Sequence, residues 1–371
     1  MELVILLIIV VCVCVALIYR LTYAFNNRTT GGAERVWIDP FYNDVEKQEI
    51  QKICKSNPQK FKFADLWLDW TKKPPLKFRG TGPNLFRTFV HDGQRKLLLN
   101  EIYFLAKYGH LSNQVIYAGS AGGFHIMILL KMFPKHHFIL WDPNKFAPSL
   151  HKHNRVETHN DFFTDEVAQR YKDGKYLFIS DIRLTPEEEQ VFTDMLMQQS
   201  WVNIIGPKAF MLKFRPPWDN KPLEYLQGKI MYQPYAPIAS SETRLIASSP
   251  DGRYDTITYR VENYDGWCFY HNSIMRNWAH YDNNYGLDAK NQAGRNNGWD
   301  CTAELEILRY YCEHFNADIN DVLGSINQHL MGKNVRKLDP VGLGKRNPCL
   351  VRRVLYRRNF KEPAENSTDM D

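Results

Sequence analysis

Two lysines and two carboxylates occupy positions where charge is unusual. Lys213 lies inside the otherwise apolar run AFMLKF, and Glu242 immediately precedes the run TRLIAS. Asp181 closes the run LFIS, and Lys96 opens an apolar helical stretch, KLLLNEIYFLAK. Taken singly, each has an ordinary reading as a solvated lysine or a helix-capping acid. Two amines and two acids that meet at one edge of a sheet can instead hold a hydroxyl and manage its proton. A second feature accompanies them. The run QVIYA ends in Gly119-Ser120-Ala121-Gly122-Gly123, with His125 just beyond. A glycine-rich turn at the carboxyl end of a strand lets the backbone approach a ligand closely. Asp142 closes the next run, FILWD, where a carboxylate accepts hydrogen bonds from ribose hydroxyls. The turn is not a dinucleotide GxGxxG, and no Gly-Lys-Ser/Thr follows it. Both absences favour an adenosine group without a pyrophosphate.

The elements that must position these groups alternate. Strands are expected over residues 114–118, 138–141, 176–180, 208–214, 229–232, 243–248 and 256–260. Helices are expected over 95–108, 124–132 and 186–199. Strand–helix alternation predicts an α/β sheet with helices on both faces, and the consecutive late strands predict an antiparallel edge. From residue 272 to about 331 the pattern turns helical. The expected organisation is an anchor over 1–20, a polar linker over 21–36, the α/β domain over 37–271, a helical extension over 272–341 and a basic tail over 342–371.

Composition bounds the function. Of 371 residues, 44% are hydrophobic and 24% charged, which excludes a disordered chain. The net charge of +6 is a mild bias toward an acidic partner. The seven cysteines contain no CxxC pair, so a reducing compartment is expected, without a disulfide or zinc framework. No His/Cys/Asp cluster has metal spacing. Residues 3–19 are apolar throughout and would span about 25 Å as a helix, enough for a thin bilayer core. Glu2 gives the start no positive charge, whereas Arg20 and Arg28 follow the run. An uncleaved single-pass anchor with the bulk of the chain in the cytosol is therefore expected.

The ordered set GQRKLLLNEIYFLAK, VIYAGSAGGFHI, LFISDIR, MLKFRPPW, MYQPYAP and SSETRLIAS resembles the FtsJ-like S-adenosylmethionine-dependent ribose methyltransferases. Within these it is most similar to the poxvirus-type cap-specific mRNA 2′-O-methyltransferase family, which also serves as the small subunit of the viral poly(A) polymerase. The resemblance covers roughly residues 90–275 and does not include the N-terminal apolar run. It implies a Rossmann-like fold and a catalytic tetrad of Lys96, Asp181, Lys213 and Glu242, with Lys213 deprotonating the attacking 2′-hydroxyl. It implies S-adenosylmethionine held by Gly119, Ser120, Ala121, Gly122, Gly123, His125, Asp142 and Asp181. Capped mRNA is the implied substrate and a polymerase catalytic subunit the implied partner; the apolar run adds the expectation of a viral factory or virion membrane as the place.

The same resemblance implies a cap pocket. Trp218 falls where the family stacks an aromatic on 7-methylguanine, and Asp265 where it reads the guanine edge. Asp219 or Asn220 matches a second acidic position. The family has a proline where this chain has Gly122, and a second aromatic where it has Ala239; Tyr235 and Trp267 are the alternatives for that ring. The tail carries Lys345, Arg346, Arg352, Arg353, Arg357, Arg358 and Lys361, suited to RNA phosphates or to anionic lipid. Two rival readings stand beside cap methylation. One is ribose methylation of uncapped RNA, and the other a non-catalytic RNA-binding subunit that promotes polymerase processivity.

Overall fold

A computed structural model describes residues 42–79 and 90–331, apart from 121, 186, 220, 238, 239, 283, 293 and 294. The expected anchor, linker and basic tail lie outside the described residues, as do Ala121, Asn220 and Ala239. Among the described residues no helix is long and apolar enough to cross a membrane. The chain divides after Gln51 into two units. In the first, residues 42–51 begin helix α1 (Asp44–Lys55), whose start is closed by reciprocal hydrogen bonds of 2.8 and 2.9 Å between Asn43 and Glu46.

The second unit is built on the apolar runs. Strands β1 (Trp67–Leu68), β2 (Gln114–Ala118), β3 (His137–Trp141), β4 (Val156–His159), β5 (Leu177–Ser180), β6 (Ala209–Phe214), β7 (Leu223–Leu226), β8 (Lys229–Met231), β9 (Thr243–Ser248) and β10 (Thr256–Tyr259) follow in order. Eight form one sheet in the order β1-β8-β9-β6-β5-β2-β3-β4. The segment from β6 to β4 is parallel; β9, β8 and β1 form the antiparallel edge. Strands β5 and β6 are buried throughout, as continuous apolar runs at the centre of a parallel sheet must be.

Two expectations about strands need correction. Residues 256–260 do form a strand, but β10 pairs with β7 in a separate two-stranded ladder and not with the main sheet. Strands β1, β4 and β7 are not among the expected ones; β4, with the sequence VETH, carries no apolar alternation and is an edge strand whose side chains are half-buried or exposed.

The chain winds outward from β2 through β3 to β4, then returns to β5 and proceeds to β6. Right-handed crossovers in these opposite directions put the connecting helices on opposite faces. The order therefore reverses between β2 and β5, and their carboxyl ends open a crevice where such sheets bind ligands. Helix α2 (Val90–Tyr108) starts earlier than expected and is buried from Leu98 to Ala106. Helices α3 (Ile126–Met132) and α4 (Glu188–Ile205) follow β2 and β5. Beyond β10 come α5 (Val261–Tyr270), which continues through a π-helical turn His271–Met275, then α6 (Trp299–Phe315) and α7 (Ile319–Met331). Helix α2 packs against β9 on one side and against α6 and α7 on another, which explains burial on more than one face.

Candidate active site

Strand register brings the four charged residues together. Ser180 pairs with Leu212, so Asp181 emerges beside Lys213. On the other side Phe214 pairs with Thr243 and Lys213 with Arg244, which sets Glu242 next to the end of β6. Lys213 Nζ lies 3.2 Å from Asp181 and 3.5 Å from Glu242. Lys96 reaches across from α2 and donates to Glu242 Oε1 at 2.7 Å. All four side chains are largely buried.

Two further residues complete the cluster. Arg244 Nη2 lies 2.6 Å from Asp181 and 3.5 Å from Glu242. Gln233 donates to Glu242 Oε1 at 3.1 Å and to its main-chain oxygen at 3.0 Å, and accepts from Arg244 Nε at 2.8 Å. Sequence reasoning missed both. The signal for Arg244 was available: it is a charge in the apolar strand TRLIAS, the same anomaly that singled out Lys213.

Burial opposes ionisation of both acids, but the neighbouring cations win. Arg244 and Lys213 bring Asp181 below the usual carboxylate range. Lys213, Lys96 and Arg244 hold Glu242 well below it. Burial also opposes the charge of Arg244, yet the two carboxylates raise its pKa further. Three cations thus face two anions, and loss of one lysine proton would leave the cluster neutral.

At the carboxyl end of β2 the turn is tight. Gly119 has φ +78°, and a Cβ there would meet the main chain of Ile182 at 2.9 Å. Ser120 is buried, and neither its hydroxyl nor that of Ser180 on β5 has a hydrogen-bond partner among the described residues. These hydroxyls flank the β2–β5 crevice and fit a polar ligand such as the nucleoside and amino-acid parts of S-adenosylmethionine. Asp142 is buried, and its Oδ1 accepts from the Asn144 amide groups at 2.8 and 2.9 Å. His125 faces inward: Nδ1 lies 3.0 Å from Gln94 and Nε2 3.0 Å from Glu101, which also accepts from Tyr117 at 2.6 Å. The carboxyl end of β4 adds Asn160 and an exposed Phe162, neither foreseen because β4 was not.

The expected cap residues sit on the other side of Lys213. Trp218 is 42% exposed, and Arg215 lies 4.8 Å over its ring. Its indole donates to Ser241 at 3.2 Å and its main-chain N–H to Glu188 at 2.8 Å. The ring facing it belongs to Phe78, at 6.1 Å and 34°, which sequence reasoning did not propose. Tyr235 instead spends its hydroxyl on Glu304 at 2.6 Å, and Trp267 donates to the Lys72 carbonyl at 2.9 Å. Asp219 is exposed and accepts from the Lys221 amide. Asp265 is buried on α5, and its Oδ1 has no hydrogen-bond partner among the described residues. Burial pushes its carboxyl up to about 7; Arg215 opposes this and Glu188 adds to it.

This is an α/β protein with a buried charge cluster and a glycine-rich turn at the switch point of its sheet. The family model for the poly A polymerase regulatory subunit matches residues 82–311, and the chain belongs to that family. It is similar to a cap-specific mRNA (nucleoside-2′-O-)-methyltransferase of Myxoma virus (strain Lausanne), 30% identical over 210 residues, which is 50% of this chain and 62% of that protein. The protein of the same name in Fowlpox virus (strain NVSL) is 33% identical over 182 residues, 43% of this chain and 58% of its own length. Each match thus spans less than two thirds of the relative. A solved structure, bluetongue virus VP4, aligns at TM-score 0.41 and 14% identity over 53% of this chain and 34% of its own.

Proposed function

We propose that this protein methylates the ribose 2′-hydroxyl next to a 7-methylguanosine cap, forming cap-1, with S-adenosylmethionine as donor. The observation that carries the reading is the meeting of Lys96, Asp181, Lys213 and Glu242 beside the β2–β5 crevice, in a chain whose relatives bear that name.

The donor supplies an already activated methyl group. The protein's work is then to aim a hydroxyl and manage its proton. Lys213, between two carboxylates, is the group suited to hold the target hydroxyl and, with its amine in the neutral form, to take its proton. Asp181 and Glu242 fix the direction of the amine, while Lys96 and Arg244 balance the carboxylate charge. Gly119, Ser120, Gly122, Gly123 and Asp142 are suited to the donor, and the resemblance adds Ala121. His125 contributes by tying that turn to α2 through Gln94 and Glu101.

Cap reading draws support from Trp218. A cationic methylated guanine stacks favourably on an aromatic face, worth about 1–3 kcal/mol per base. Phe78 is the second ring, Asp265 the acceptor for the guanine edge, and Asp219 a solvent-side partner. Methylation of capped against uncapped RNA of one sequence, with analysis of the modified nucleoside, tests the reading. A 2′-O-methyl product on capped RNA alone is expected. Equal rates on both RNAs would leave ribose methylation and remove cap dependence.

The family description favours a second role, as regulatory partner of a poly(A) polymerase; longer tails when this chain is added to that polymerase would support it. Membrane anchoring through residues 3–19, at a viral factory or virion membrane, rests on that apolar run alone. Flotation of the full chain with vesicles, abolished by its removal, is the test.

A further inference from the structure

A second charge cluster lies outside the site, on a helix that, among the described residues, supplies no member of the tetrad. From Trp299 to Leu308 helix α6 is buried without interruption, and Glu304 is fully enclosed. Its Oε1 accepts from Arg95 Nη1. Its Oε2 accepts from Arg295 at 2.6 Å and from the Tyr235 hydroxyl at 2.6 Å. One helical turn earlier, Asp300 accepts the main-chain N–H of Tyr235 at 3.0 Å and is itself gripped by Arg276.

Tyr235 is therefore clamped at both ends. It is held with φ +63°, a left-handed conformation that a residue with a Cβ keeps only when its surroundings impose it. The two segments that Glu304 grips are informative. Arg95 immediately precedes Lys96. Tyr235 lies two positions beyond Gln233, the residue whose amide holds Glu242. One carboxylate thus anchors the chain on both sides of the Lys96–Glu242 pair.

We infer that Glu304 is a positioning residue for the charge cluster, fixing the separation of Lys96 and Glu242 through Arg95 and Tyr235. The inference rests on the methyl-transfer reading. A cluster that merely stabilised the core would have no need to attach to these two segments. It would also move every property of the protein together.

Tyr235→Phe in the full chain separates the cases. It removes one hydroxyl and keeps the ring, the ion pairs and the main-chain bond to Asp300. The expected result is a fall in kcat of about tenfold, because small displacements at a reacting centre have large effects. KM for capped RNA and Kd for S-adenosylmethionine should hold within about twofold, and the melting midpoint within a few degrees. Glu304→Gln, if its circular dichroism stays native, should show the same kcat-against-KM split with a larger fall, its melting midpoint lowered by the lost ion pairs; if it unfolds, Tyr235→Phe decides alone. Unchanged kcat in Tyr235→Phe would overturn the inference. So would a fall matched by weaker cofactor binding and a lower melting midpoint. A wild-type chain inactive on capped RNA would instead overturn the methyl-transfer reading, so the two failures are distinguishable.

Discussion

Buried charge is completed in one part of this molecule and left incomplete in another. Around Glu304 both carboxylate oxygens are engaged by short, charge-assisted hydrogen bonds from Arg95, Arg295 and Tyr235. On the Trp218 side, Asp265 Oδ1, Arg215 Nη1 and Arg183 Nη2 are buried with no hydrogen-bond partner among the described residues. The tetrad lies between these extremes: Lys96 is tightly bound to Glu242 at 2.7 Å, whereas Lys213 stands 3.2 and 3.5 Å from its carboxylates. Leaving a buried polar group unsatisfied costs about 1–3 kcal/mol, more when it is charged. A closed cluster contributes rigidity, and an open one keeps donors and acceptors in reserve for a ligand.

The comparison breaks first at Glu304. Glu304→Ala leaves two arginines buried without their acceptor and should cost about 3–5 kcal/mol in denaturant unfolding. A smaller loss would mean that the cluster is not closed in solution. Its pH signature has a definite sign. The folded carboxyl is lowered to about 2, against the ordinary 4.5, because Arg95 and Arg295 outweigh the opposing effect of burial. The stability from this ionisation is therefore full above about pH 4.5 and is lost as pH falls toward 2. Acid unfolding of Glu304→Gln, which cannot titrate there, should be flatter over that window.

Asp265 should behave oppositely. Its folded value of about 7 lies above the ordinary 3.8, so folding loses stability as pH rises from about 4 to 7. Asp265→Asn should remove that loss and stabilise the protein at pH 8 by about 4 kcal/mol, with little gain at pH 4. If the proposed cap reading holds, the same substitution weakens binding of a 7-methylguanosine cap analogue. A smaller effect sharpens the open side: Trp218→Ala should weaken that analogue by about 1–3 kcal/mol, and unmethylated guanosine less, by fluorescence titration. Equal losses for both bases would remove the role of ring charge.

Much of this frame was legible in the sequence, for stated reasons. Central parallel strands are buried on both faces, so QVIYA, LFIS and AFMLKF read as apolar runs, and a lysine in the last of them stands out. The edge strand VETH has no such signature. The partner of β10 was hidden as well, because pairing between β7 and β10 is a tertiary choice that neither segment encodes alone. Arg244 is less conspicuous than Lys213 because it lies near the start of TRLIAS, two residues past Glu242, where a charge also reads as the end of a loop. Glu304 was invisible for a different reason: an acid on a helix ordinarily marks a solvated face, and only the packing of α6 against α2 shows it enclosed. Phe78 lies in an irregular aromatic segment whose contacts no periodicity reports.

The central claim is that Lys213 works on the substrate and not on the fold or the donor. Lys213→Ala in the full chain, assayed with labelled S-adenosylmethionine and capped RNA, tests it most directly. Methyl transfer should fall by at least about 100-fold, the range of a lost general base, while calorimetric affinity for the donor stays within about threefold. Near-normal turnover, or donor affinity lost in step with activity, would contradict it.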